Sequence, residues 1–95
     1  MSRSEIFEVV KVQIYQIVSH LRGKELHETD NLTDLGADSL DIVEVVSGSM
    51  KQLNIKVPRT KLSMVDELSE LLDLFTEAVA AKPTIAQAAG INDDE

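Results

Sequence analysis

The chain has no cysteine, so it can build no disulfide framework, no thiolate metal site and no cysteine nucleophile. Its aromatic residues are limited to Phe7, Tyr15 and Phe75. The core must therefore be aliphatic, made of Leu, Ile, Val and Met. Basic residues are also scarce: 9 Lys and Arg face 17 Asp and Glu, for a net charge of -8. That balance argues against nucleic acid and anionic membrane surfaces and favours basic protein partners. No apolar run approaches the roughly 18 residues of a membrane span. Met1 to Glu8 is polar and lacks the basic-then-apolar layout of a signal peptide, so a cytoplasmic protein is expected. The histidines are His20 and His27, neither in a metal-ligand spacing nor beside an evident nucleophile. The carboxylates are too evenly spread to nominate a catalytic pair. Neither enzymatic chemistry nor a metal site is expected.

At 95 residues the chain is one domain, long enough for a small core but too short for a lidded active site. Ile6, Val9, Val10, Ile14, Ile17, Val18 and Leu21 recur at spacings of three and four and predict a first helix over Ser2 to Arg22. Ser2 and Glu5 fit a capping box, and Gly23 suits a left-handed stop. Lys24 to Asp38 is polar and turn-rich, with Leu26, Leu32 and Leu35 as anchors. A second helix is predicted over Ser39 to Leu53, with Asp38 as its N-cap, Leu40, Val43, Val46, Met50 and Leu53 inward, and Asn54 as a stop. Ile55 to Leu62 contains Pro58 and suits a single helical turn. Asp66 to Ala81 is a last helix with Leu68, Leu71, Leu72, Phe75 and Val79 inward, and Pro83 bars its continuation. The expected fold is an all-α, small four-helix bundle, with three longer helices, a short third helix and a long first loop. Residues 1–82 would form the domain and residues 83–95 a tail.

The run Leu35-Gly36-Ala37-Asp38-Ser39-Leu40-Asp41 puts a serine in the first turn of a helix, directly after a glycine turn. With Leu40 as the next inward position, the Ser39 hydroxyl should be exposed. The helix start offers unpaired N–H groups and the positive dipole end, which favour an attached phosphate. Asp38 and Asp41 would repel a free phosphate, whereas a covalently held phosphodiester tolerates them better. Asp-Ser at a helix start is also ordinary capping chemistry. An acidic helical interaction module without a prosthetic group remains the alternative from another class.

That run, followed by Val43, Glu44 and Val46, resembles the signature of acyl carrier proteins, and Val57-Pro58 matches an aliphatic-proline pair before that family's short third helix. The resemblance covers Ile6 to Val79. It implies a four-helix bundle whose Ser39, between Asp38 and Leu40, receives 4′-phosphopantetheine from coenzyme A through a phosphopantetheinyl transferase. The implied protein is a monomeric carrier of thioester-linked acyl groups and a substrate of other enzymes, such as an acyltransferase or ketosynthase. Asp41 and Glu44, with Ile42 and Val45 beside them and off the core stripe, are expected to meet basic partners.

Two departures narrow the reading. Helix II ends in Gly48-Ser49-Met50-Lys51-Gln52 rather than in acids, and the third helix is flanked by Lys56, Arg59 and Lys61. Gly48 in mid-helix costs about 1 kcal/mol relative to Ala, which suggests close approach by a neighbour or tolerance in a specialised protein. The segment from Leu53 to Leu62 and the run Glu67-Leu68-Ser69-Glu70-Leu71 resemble free-standing donor carriers of polyketide β-branching cassettes. Those carriers supply an acetyl-type unit to a synthase resembling hydroxymethylglutaryl-CoA (HMG-CoA) synthase, and Arg59 would be a partner contact. Leu40-Asp41-Ile42-Val43 follows the commoner carrier pattern, so a general or specialised fatty-acid carrier is the alternative.

Glu25, Glu28, Asp30, Asp34, Asp38, Asp41 and Glu44 follow one another without an intervening Lys or Arg. Their mutual repulsion should limit stability. Millimolar calcium or magnesium is expected to raise the melting temperature more than sodium chloride of equal ionic strength. Equal shifts would reduce the effect to general screening.

Overall fold

The computed structural model describes residues 1–81, which form four α-helices. The expected tail, residues 83–95, lies outside the described residues. The first helix, α1, spans Arg3–Ile17. Its capping box is formed as the sequence predicts: Glu5 N–H donates to Ser2 Oγ at 3.2 Å, and Ser2 N–H donates to Glu5 Oε1 at 2.8 Å. Ile6, Val10 and Ile14 are fully buried along one face.

α1 stops at Val18, short of the expected Arg22, and a 3₁₀ turn, Ser19–Leu21, follows. The β-branched pair Ile17-Val18 has weak helix preference, and side chains beyond it offer a better end. Arg22 Nε donates to the Tyr15 carbonyl at 2.8 Å, and Tyr15 Oη donates to the Lys24 carbonyl at 2.7 Å. The turn still delivers Leu21 to the core, and Gly23 then reverses the chain at φ +85°.

The long loop is ordered by what it buries and by what it caps. Leu26 and Leu32 are in the core and Leu35 packs against it. The loop also serves the start of the last helix, α4, Leu68–Ala81. Its first N–H groups would lack partners in an isolated helix. Leu68 N–H donates to the Asp30 carbonyl at 2.9 Å, and Ser69 N–H donates to the Glu28 carbonyl at 2.7 Å. The expected start at Asp66 moves to Leu68 because Glu70 turns back to cap the preceding residues. It accepts from Glu67 N–H at 2.9 Å and Asp66 N–H at 2.8 Å, which lowers its carboxyl below the usual range. That contribution is present at neutral pH and is lost as pH falls through the lowered range. Arg3 ties the assembly together, with Nη2 donating to Glu28 Oε1 at 2.8 Å and to the Ser69 carbonyl at 3.0 Å, and Nη1 to Asp73 Oδ1 at 2.6 Å.

The second helix, α2, spans Ser39–Leu53 as predicted, and Asn54 ends it in the left-handed conformation at φ 57°. Its inward face is the expected one in part: Leu53 is buried as predicted. Leu40 and Val43 are 66% and 54% exposed, whereas Val45 and Ser49 are fully buried. Ile42, Val46 and Met50 pack partly against the core. The reason lies in the approach of α1, which packs extensively on α2. A Cβ at Gly48 would overlap the Gln13 side chain, so the small residues Gly48 and Ser49 mark the close-approach face. The short helix α3, Arg59–Leu62, follows Pro58, and α4 then seals the core with Leu68, Leu71, Leu72 and Phe75.

Ser49 Oγ is buried without a hydrogen-bond partner. An unpaired buried hydroxyl is destabilising, so Ser49→Ala is expected to raise stability by about 1 kcal/mol and the melting temperature by roughly 4–8 °C. Thermal melts followed by circular dichroism check this. An unchanged or lower midpoint would mean that the hydroxyl is satisfied in solution.

Candidate functional site

The approach to Ser39 is a stack of short turns. Asn31 Oδ1 accepts from Thr33 N–H at 2.8 Å. Gly36 N–H donates to the Thr33 carbonyl at 3.1 Å, and Ala37 N–H donates to the Leu32 carbonyl at 3.0 Å. Gly36 has φ +96°, a value that most side chains avoid. Ala37 is buried and fixes the depth at which the chain enters α2. Asp38, in extended conformation, is the N-cap.

Asp38 and Asp41 form a reciprocal capping box. Asp41 N–H donates to Asp38 Oδ1 at 2.8 Å, and Asp38 N–H donates to Asp41 Oδ2 at 3.3 Å. The sequence identifies Asp38 as a cap; the return bond from Asp41 is new. Both carboxylates are turned onto backbone donors at the positive end of α2, which moderates their repulsion toward an anion attached nearby. Ser39 is the first helical residue and is exposed, and among the described residues nothing accepts from its N–H or from that of Leu40. The cap does not use the Ser39 hydroxyl.

Around Ser39 the surface is apolar on one side. Leu40 and Val43, expected inward, stand out from α2 instead. Beyond Val43 a groove of about 410 Å³ runs between α2 and α3, with Ile42, Val46, Met50, Val57 and Leu62 in its walls and Arg59 and Ser63 at its rim. A tighter cavity of about 110 Å³ lies beneath it, against Leu32, Val65, Leu68 and Leu71. Ser39, Leu40, Glu44 and Arg59 are therefore exposed, Asp41 and Ile42 are half-buried, and Val45 is buried. Val45 was expected as a partner contact, and this is corrected: it sits at 0% exposure because its face of α2 meets the core. The outward apolar residue that the sequence reading missed is Val43. The small pair Gly48-Ser49 was the available signal, since it marks the opposite face as the packed one.

His27 lies 3.5 Å from Glu25 and 3.7 Å from Asp30, and no group of His and carboxylates among the described residues could hold a metal ion. No described helix is long and apolar enough to cross a membrane.

Ser39 thus stands exposed at a capped helix start, on an open surface beside an apolar groove rather than inside an enclosed pocket. Residues 12–75 match the family model described as phosphopantetheine attachment site, which places the chain among domains that bear this arm. It is 34% identical over 79 residues to the polyketide biosynthesis acyl-carrier-protein AcpK of Bacillus subtilis (strain 168), covering 83% of this chain and 96% of that one. It is 32% identical over 81 residues to the acyl carrier protein of Guillardia theta, covering 85% and 100%. Among solved structures it is similar to a chain of the curacin biosynthetic pathway HMG synthase in complex with acetyl donor-ACP. The TM-score there is 0.74 at 31% identity, over 81% of this chain and 99% of that chain. The chain belongs to the acyl carrier protein family, whose members are carriers rather than catalysts and whose prosthetic group is 4′-phosphopantetheine.

Proposed function

We propose that the chain carries acyl groups in polyketide biosynthesis on a 4′-phosphopantetheine arm bonded to Ser39, and that it donates an acetyl unit to an HMG-CoA-synthase-like enzyme. The observation that carries the attachment point is the exposed Ser39 hydroxyl at the first position of a helix capped by other residues. In loading, Ser39 Oγ bonds to phosphorus, its proton leaves, and coenzyme A releases its adenosine bisphosphate. Once attached, the arm supplies a terminal thiol that holds the acyl group as a thioester. The protein's own residues do the rest. Asp38 and Asp41 keep the helix start fixed, and the free N–H groups of Ser39 and Leu40 favour the anionic linkage.

The donor reading rests on the similarity to the acetyl donor-ACP complex and on the charge pattern. The chain matched there is 99% covered by this one, so the counterpart is of carrier size. Leu40, Val43 and Ile42 offer apolar contact, and Asp41 and Glu44 offer negative charge to a basic partner. Arg59, with Lys56 and Lys61 beside it, is exposed and offers the opposite sign across the groove. A partner with patches of both signs is preferred over one that is basic throughout.

Intact mass after incubation with a phosphopantetheinyl transferase and coenzyme A tests the attachment point. One arm is expected on the wild type and none on a folded Ser39→Ala protein. Modification that persists in Ser39→Ala would sink the assignment.

Partner choice is tested with the acetyl-loaded protein. It should transfer acetyl to a β-branching synthase, and Arg59→Glu should slow this mainly through association, more strongly at low salt. Fatty-acid enzymes should be indifferent to that change or helped by it. Service in fatty-acid elongation equal to that of a housekeeping carrier, with no effect of Arg59→Glu, would favour the fatty-acid alternative.

A further inference from the structure

We infer that His20 is a positioning residue for the modification of Ser39, acting as a brace on the turn that precedes it; this rests on the assignment of Ser39 above. His20 is exposed, in the 3₁₀ turn after α1, so burial does not account for its placement. Its Nε2 lies 3.0 Å from the Leu35 carbonyl oxygen. A carbonyl only accepts, so Nε2 is the donor. Neighbouring carbonyls of the same loop, those of Asn31, Leu32 and Thr33, accept from backbone N–H groups. Among the described residues, the Leu35 carbonyl accepts from His20.

The position of that bond matters. The Leu35–Gly36 peptide precedes a glycine at φ +96°, and glycine populates positive and negative φ with similar ease. The N–H of this peptide donates to the Thr33 carbonyl at 3.1 Å, so its plane is held on one side by the loop and on the other by His20. A donor that holds its carbonyl selects one orientation. The ring also lies beside the glycine, since a Cβ at residue 36 would come within 3.0 Å of Nε2 and 3.5 Å of Cε1. The post itself is firm. The turn that carries His20 is tied back by Arg22 to the Tyr15 carbonyl, and the chain after it by Tyr15 to the Lys24 carbonyl. His20 thus transfers the rigidity of the end of α1 to the loop that sets the height and direction of Ser39.

If the brace selects the loop conformation that the transferase recognises, its loss reduces the competent fraction. Apparent affinity then falls while turnover of bound protein does not. Steady-state loading with coenzyme A and a phosphopantetheinyl transferase should show KM for His20→Ala raised about fivefold, with kcat close to wild type. His20→Phe, which keeps a ring but has no donor, should behave like His20→Ala. His20→Gln, which restores an N–H donor, should recover most of the loss. Amide exchange at Gly36 and Ala37 should quicken in the first two variants and not in the third. Wild-type KM in His20→Ala and His20→Phe would overturn the proposal, and so would a His20→Gln protein as impaired as His20→Phe. Failure of the underlying assignment looks different: wild type would gain no arm, or Ser39→Ala would gain one.

Discussion

Closure of the first loop onto the start of α4 is the contact on which the rest of the molecule depends. A segment as long and polar as residues 24–38 has little to gain from collapse alone, and ordering it is costly in entropy. The carbonyls of Glu28 and Asp30 meet this by accepting the first N–H groups of α4, so one set of bonds satisfies a helix end and fixes a loop. Arg3 adds the start of α1 to the same junction. With the loop held there, Leu32 and Ala37 reach the core and the chain can enter α2 only at Asp38. Ser39 owes its place to a junction formed by residues remote from it in sequence.

Local rules made much of this legible. The bounds of α2, both predicted capping residues, the stop at Asn54 and the single turn after Pro58 all follow from short-range chemistry. Three things did not follow. The break at Val18 depends on Arg22 and Tyr15 acting across the turn. The inward face of α2 was misjudged because Leu40 and Val43 are apolar at the right spacing, while the true packing face carries a serine and a glycine. Hydrophobic pattern reads such a face as solvent; the packing of α1 on α2 and the full burial of Val45 and Ser49 show it as a helix crossing. The link between His20 and Leu35 is invisible to any periodicity, since it joins residues 15 apart through one ring nitrogen.

The electrostatic character of the protein is likewise less uniform than its composition. Of the seven successive acids, Glu28 is engaged by Arg3, and Asp38 and Asp41 bind backbone donors at the helix start. Those acids keep their charge while serving the fold; Glu44 stands exposed on α2, and the exposed bases of α3 lie opposite. Net charge sets the long-range field, whereas the sign change across the α2–α3 groove is a local feature that the total does not convey.

The outward Leu40 and Val43 have a colloidal consequence. An exposed apolar patch is open to the same patch on another copy as well as to any other protein. At a net charge of -8, two copies approach through their shared repulsion, which acts over about 10 Å at moderate salt. A net charge of this size holds like copies apart and would attract basic proteins. Added salt screens both effects at once, so the exposed apolar patch is less protected by charge as ionic strength rises.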